Sequence, residues 1–204
     1  MGGRGGGALA ARTAIDRFLA RLVEAGEHPD WRRIVGSVNS DVIHAGRERG
    51  VDRLGTTLLV VVVGGPLITL IHVGDSRAYR LASLGDRPRL DLLTHDHNVR
   101  AELLAAGLDI GEYRERGVAL HGLTSFIGLD LEALRIDVLA IPVRAGDRLL
   151  LCTDGVHRQL DDDQIRATLS LPTSQGAADR LVEQADQLGG RDNATALVLR
   201  LGVS

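Results

Sequence analysis

Asp154 and Asp192 are the residues best placed to do chemistry, one in Leu149-Leu150-Leu151-Cys152-Thr153-Asp154-Gly155 and the other in Gly189-Gly190-Arg191-Asp192-Asn193-Ala194-Thr195. Both segments read as a carboxylate coming off a hydrophobic strand, held on rigid backbone and pointed into a cleft. That setting suits a hard divalent cation, which takes oxygen ligands at fixed distances. Two carboxylates brought together would repel unless a cation stood between them, and a divalent ion keeps both ionised. Neither motif contains His, and Cys152 is the only cysteine, which excludes a Cys-based zinc cluster, so Mg2+ or Mn2+ fits better than zinc or copper. Such a centre lowers the pKa of a bound water and neutralises a phosphoryl oxygen, which is what phosphate ester hydrolysis requires. Asp75, in Val73-Gly74-Asp75-Ser76-Arg77, reads equally as a third carboxylate of the cluster or as a turn residue bonded to its own backbone. A turn reading is open to Asp154 as well, and only its combination with Asp192 favours the metal.

The elements around these residues suggest how they could meet. Apolar positions from Ala8 to Ala25 (Leu9, Ile15, Phe18, Leu19, Leu22, Val23) recur at helical spacing, and the glycine-rich start is not expected to be helical before Ala8. Asp30 is expected to cap a second helix with Trp31, Ile34, Val35, Val38, Val42 and Ile43 inward. Two strands then follow, Thr56 to Val63 and Leu67 to Val73, joined by a Gly64-Gly65-Pro66 turn. A further pair, Arg77 to Leu81 and Leu90 to Leu93, spans a Gly-Asp-Arg-Pro loop. Val99 to Ala106 predicts a short helix, and residues Gly107 to Asp130 predict an irregular segment of the kind that often carries function. Strands at Arg135 to Ile141 and Asp147 to Cys152, helices at Asp162 to Leu169 and Gln175 to Leu188, and a closing strand at Thr195 to Leu201 complete the chain. Strands and helices segregated in this way imply an α+β fold, an antiparallel β-sandwich flanked by helices.

At 204 residues the chain fits one domain, with 44% hydrophobic and 25% charged residues and a formal charge of −3. That charge gives no field favouring nucleic acid or an anionic membrane. The apolar run from Leu58 to Val63 is too short to span a bilayer. Cys152 is the only cysteine, which excludes an intrachain disulfide and fits a reducing cytoplasm.

Four ordered motifs together resemble the bacterial PPM-type metal-dependent serine/threonine protein phosphatases. They are His72-Val73-Gly74-Asp75-Ser76-Arg77-Ala78-Tyr79-Arg80, Leu93-Thr94-His95-Asp96-His97, Leu150-Leu151-Cys152-Thr153-Asp154-Gly155 and Gly190-Arg191-Asp192-Asn193-Ala194-Thr195. Gly55-Thr56-Thr57 and Glu102-Leu103-Leu104-Ala105-Ala106-Gly107 match as well, so the resemblance covers nearly the whole chain, 1–204. It implies a helix-flanked β-sandwich with a dinuclear Mn2+ or Mg2+ site. By the same resemblance Asp154 and Asp192 are metal ligands, and Asp75 with Asp154 binds a third, weaker ion. A metal-activated water is then the nucleophile, with no catalytic side chain and no phosphoenzyme. Residues 107–130 would be a flap governing substrate choice, Asp96 and His97 would be structural, and phosphorylated proteins, including those of serine/threonine kinases, would be the substrates. Met1-Gly2-Gly3 with Gly7 resembles the tail of the family's Asp-Gly-Met-Gly-Gly motif, so the bridging aspartate and the first strands are expected to lie before Met1, in a longer protein. The alternatives are a catalytically impaired pseudophosphatase that binds phosphoproteins or a kinase, and a fragment completed by another chain through strand addition.

Overall fold

A computed structural model describes residues 6–51, 54–83, 88–190 and 192–202. The Met1-Gly2-Gly3 start, most of the Gly-Asp-Arg-Pro loop and Arg191 lie outside the described residues. In chain order the elements are α1 (Gly6–Glu24), α2 (Trp31–Glu48), β1 (Leu58–Gly64), β2 (Leu67–Val73), β3 (Arg77–Ala82), β4 (Arg89–Leu92), α3 (Val99–Ala105), α4 (Ile110–Glu115), β5 (Asp137–Pro142), β6 (Arg148–Cys152), α5 (Asp154–His157), α6 (Asp162–Leu169), α7 (Ser174–Gln187) and β7 (Ala196–Arg200). The expected α+β class is what forms: the strands make two sheets, ordered β1-β2-β5 and β4-β3-β6-β7. Among the described residues no helix is long and apolar enough to cross a membrane.

The described residues cluster into two compact units that alternate along the chain. The first holds residues up to Val60 with Leu70–Gly74 and Asp96–Leu139; the second holds Val61–Thr69, Asp75–His95 and residues from Ala140 on.

In the first unit α1 packs on α2. Asp30 caps α2 as its position suggested, accepting from the Arg33 N–H at 3.0 Å. The buried face of α1 differs from the expected one. Ala10, Ala14 and Phe18 point inward, with Phe18 stacked on Trp31, whereas Ile15 and Leu19 are 54% exposed and Val23 is 86% exposed. Two apolar stripes of i, i+4, i+8 spacing compete on this helix, and the small side chains of Ala10 and Ala14 give the close-packed one. The helix also starts two residues before Ala8, at Gly6, where the glycine packs against Leu54.

Asn39 is fully buried on α2, where it ties down the end of the 107–130 segment. Its Nδ2 donates to the Leu129 carbonyl at 2.8 Å, and its Oδ1 accepts from the Gly128 N–H at 2.6 Å. A methyl group at Gly128 would lie 1.9 Å from the Leu54 carbonyl oxygen, on a backbone with φ of +107°. Gly128→Ala is therefore expected to destabilise the protein by more than about 3 kcal/mol, read as a drop in the urea midpoint; an unchanged midpoint would contradict this packing. The segment itself is less irregular than expected, because it contains α4. Asp109 caps that helix through the Gly111 N–H, and Glu112 pairs with Arg116 at 2.6 Å. Six residues are too few to reveal a helical period in sequence.

In the second unit β6 is an inner strand, antiparallel to β3 on one side and to β7 on the other. Tyr79, Leu150, Cys152 and Val198 from the sheet meet Ile165 and Leu169 of α6 and Ala177 and Leu181 of α7 in one core. Each fully buried Leu or Ile there contributes roughly 1.5–3 kcal/mol. Burial pushes the Tyr79 phenol up to about 12, although Arg77 donates to its oxygen at 3.2 Å. A capping box formed by Asp161 and Gln164 starts α6, and the Thr173 hydroxyl caps α7.

Candidate active site

Strand direction brings the three aspartates to one end of the four-stranded sheet. Because β3 and β7 both run antiparallel to β6, the starts of β3 and β7 lie beside the end of β6, with Arg77 opposite Cys152 and Cys152 opposite Ala196. Asp75 lies just before β3, Asp154 just after β6 and Asp192 shortly before β7. Asp192 thus leads into a strand rather than leaving one, which is where the sequence reading differed, yet antiparallel pairing still delivers it to the same end.

Thr153 fastens the Asp154 and Asp192 loops together. Its N–H donates to the Thr195 carbonyl at 3.1 Å, its Oγ1 accepts from the Thr195 N–H at 3.0 Å, and the same hydroxyl donates to the Asn193 carbonyl at 3.3 Å. The next residue but one, Gly155, has no room for a side chain: a Cβ there would fall 2.5 Å from the Asn193 oxygen. Asp192 folds back on its own loop, accepting from the Asn193 N–H at 2.8 Å. Asp154 opens the one-turn helix α5, and its last residue, His157, and the next, Arg158, both reach Asp75. His157 Nε2 donates to the Asp75 carbonyl oxygen at 2.9 Å. The Arg158 guanidinium spans two carboxylates, with Nη2 2.9 Å from Asp75 Oδ2 and Nη1 2.9 Å from Asp154 Oδ2. The sequence reading stopped at Gly155 and missed both residues. The available signal was Arg158 four positions after Asp154, a spacing at which opposite charges meet on a helix.

As a donor set for a hard cation, the Asp154 and Asp192 loops fit: each offers carboxylate oxygen, and they are stitched together at one edge of the sheet. Asp75 is differently placed, because Arg158 already engages it and Asp154 together.

A second cluster lies in the first unit, where donor atoms of His72, His97 and Asp137 fall within 4.8 Å of one another. Hydrogen bonding gives it a structural role. The Gly74 N–H donates to His97 Nδ1 at 3.2 Å, so the ring proton resides on Nε2 and is donated to Asp137 Oδ2 at 2.9 Å. A metal at Nε2 would have to displace that proton. His97 is buried and acts as the packing and hydrogen-bonding residue that the sequence suggested. Burial would raise the Asp137 carboxyl, but the His97 hydrogen bond and the Arg135 charge outweigh it and hold the group below its ordinary 3.8. Stability from this ionised carboxylate is therefore present above that ordinary value and is lost as the pH falls through the lower folded-state value. Asp137→Asn is expected to cost about 1–2 kcal/mol near neutral pH, with the difference from wild type shrinking under strong acid. Urea titrations at both pH values check this, and a constant difference would contradict it.

The chain belongs to the protein phosphatase 2C family, whose sequence model matches residues 2–198. It is 29% identical over 213 residues to the serine/threonine phosphatase stp of Listeria monocytogenes, a match spanning 98% of this chain and 81% of that relative. The crystal structure of the Mycobacterium tuberculosis serine/threonine phosphatase PstP/Ppp superposes with a TM-score of 0.83 at 28% identity, covering 99% of this chain and 85% of that one. A structure of the PstP catalytic domain in complex with two manganese ions superposes at 0.77, with 28% identity and coverage of 97% and 83%.

Proposed function

We propose that this chain is a metal-dependent protein serine/threonine phosphatase in which Asp154 and Asp192 hold Mn2+ or Mg2+. The observation that carries the reading is the Thr153 stitching, which fixes two carboxylate loops from remote parts of the sequence at one edge of the β6–β7 pair. Divalent ions bound there supply positive charge for the phosphoryl oxygens and make water a stronger nucleophile near neutral pH. The protein's own contribution is placement. Thr153 sets the separation of the loops, Gly155 permits their approach, and the core beneath β6 and β7 gives them a rigid base. Family membership and the named relatives support serine and threonine phosphoesters as the bond cleaved.

Finer features of the proposal are that residues 107–130 select the substrate, that the substrates are products of serine/threonine kinases, and that the enzyme works in the cytoplasm, where its lone Cys152 stays reduced. The test is phosphate release from phosphoserine, phosphothreonine and phosphotyrosine peptides, with Mn2+ and with a chelator. Release from the first two that requires Mn2+ is expected. Failure to release phosphate from any of them in Mn2+ would overturn the proposal, and peptide binding without release would point to a binding module.

A further inference from the structure

The guanidinium of Arg158 stands where two carboxylates would otherwise face each other across a gap. Asp75 is only 6% exposed, and its Oδ2 and the Oδ2 of Asp154 are each 2.9 Å from a different nitrogen of the same planar group. The main chain that carries the arginine is fixed, because Arg158 directly follows α5 and its N–H donates to the Asp154 carbonyl at 3.0 Å. The neighbouring His157 ring, itself buried, clasps the Asp75 main chain. Asp75 is thus held at its carbonyl and its carboxylate by two consecutive residues, the last of α5 and the one after it.

Two acidic groups at this separation need a positive charge between them. The resemblance to metal-dependent phosphatases assigned that task, at Asp75 and Asp154, to a third and weaker divalent ion. We infer that Arg158 is instead the resident cation of the Asp75–Asp154 pair, closing it to Mn2+ and Mg2+ and leaving Asp154 to serve the ions it shares with Asp192. A planar fork bonded to both carboxylates satisfies them by charge and by hydrogen bonds at once. A divalent ion drawing on the same two oxygens would have to expel it and leave a part-buried guanidinium without its partners, which is costly. Arg158 is a positioning residue in this scheme: it fixes one oxygen of Asp154 and so limits how that carboxylate presents the other. The part concerning Asp192 rests on the proposed function; the exclusion of an ion from the Asp75 pair does not.

Mn2+ stoichiometry tests the inference without reference to turnover. Metal-stripped full chain is titrated with Mn2+, free ion is followed by its electron paramagnetic resonance signal, and heat is measured in parallel. Asp75→Asn is expected to bind as many ions as wild type. Arg158→Met keeps the apolar stem, removes the charge, and is expected to bind one more ion per chain. Adding Asp75→Asn to Arg158→Met is expected to remove that extra ion. A loss of one ion in Asp75→Asn alone would overturn the inference, since the pair would then hold metal beside the arginine. So would a folded Arg158→Met variant, checked by circular dichroism, with an unchanged count. If Arg158→Met does not fold, the Asp75→Asn count decides alone. Asp192→Ala in the same titration reports separately on the proposed ligand pair, so the two readings fail in different variants.

Discussion

Asp192→Ala should lower Mn2+-dependent phosphate release by roughly 10³-fold and weaken Mn2+ binding measured by calorimetry, with little change in stability. The first part follows from geometry: Asp192 is one of two carboxylates delivered to the edge of the β6–β7 pair, and no neighbouring acid on its loop can take its place. The second follows from exposure. Asp192 is exposed, and its one short-range bond, from the Asn193 N–H, can be replaced by water, so the fold should change by no more than about 0.5 kcal/mol. Activity and metal affinity equal to wild type would remove Asp192 from the ligand set. A large drop in melting temperature would show that the residue acts through the fold.

Gly155→Ala is expected to have an effect nearly as large by another route. The added methyl would sit 2.5 Å from the Asn193 oxygen and 2.9 Å from the Asn193 carbonyl carbon, both of them backbone atoms that cannot swing away as a side-chain end can. Relief requires the Asp154 and Asp192 loops to part, and displacement of that kind by about 1 Å commonly costs ~10²-fold in rate. Stability should fall by about 1–3 kcal/mol as well, from overpacking. Gly36→Ala is the control: a Cβ there meets only Leu131 at an ordinary 3.6 Å, inside α2, and the substitution should be neutral or stabilise by up to about 1 kcal/mol. Equal behaviour of the two variants, measured by kcat and by melting temperature, would rule out the proposed role of close loop approach.

Most of the element order was legible in the sequence because the strands are aliphatic runs and Asp30 marks the start of α2; the caps at Asp161 and Thr173 that start α6 and α7 came only with the structure. The motifs singled out Asp75, Asp154 and Asp192 in the sequence, and antiparallel pairing about β6 brings their three loops to one end of the sheet. What escaped detection depends on partners that a one-dimensional pattern does not encode. On α1 the Ala10-Ala14-Phe18 stripe and the Ile15-Leu19-Val23 stripe have the same period, and only packing against α2 chooses between them. Asn39 is a polar residue on the buried face of α2, and its two bonds to the 128–129 backbone are long-range contacts that no local pattern encodes. Arg158 drew no notice in the sequence, because Asp75, the carboxylate it binds besides Asp154, is 83 positions away.

The alternation of the two units along the chain has a consequence for how the protein is made. α1 and α2 leave the ribosome well before the rest of their unit, whose last segment ends at Leu139. At typical translation speeds of about 5–20 residues per second, those helices wait on the order of 5–20 s for the remainder of their core. During that interval Val35, Val38 and Val42, fully buried in the finished protein, lack part of their cover, and a nascent-chain chaperone has both the time and the apolar surface to engage them. Neither unit can be produced as one contiguous fragment, so truncation will yield aggregation-prone pieces instead of a half-molecule that folds.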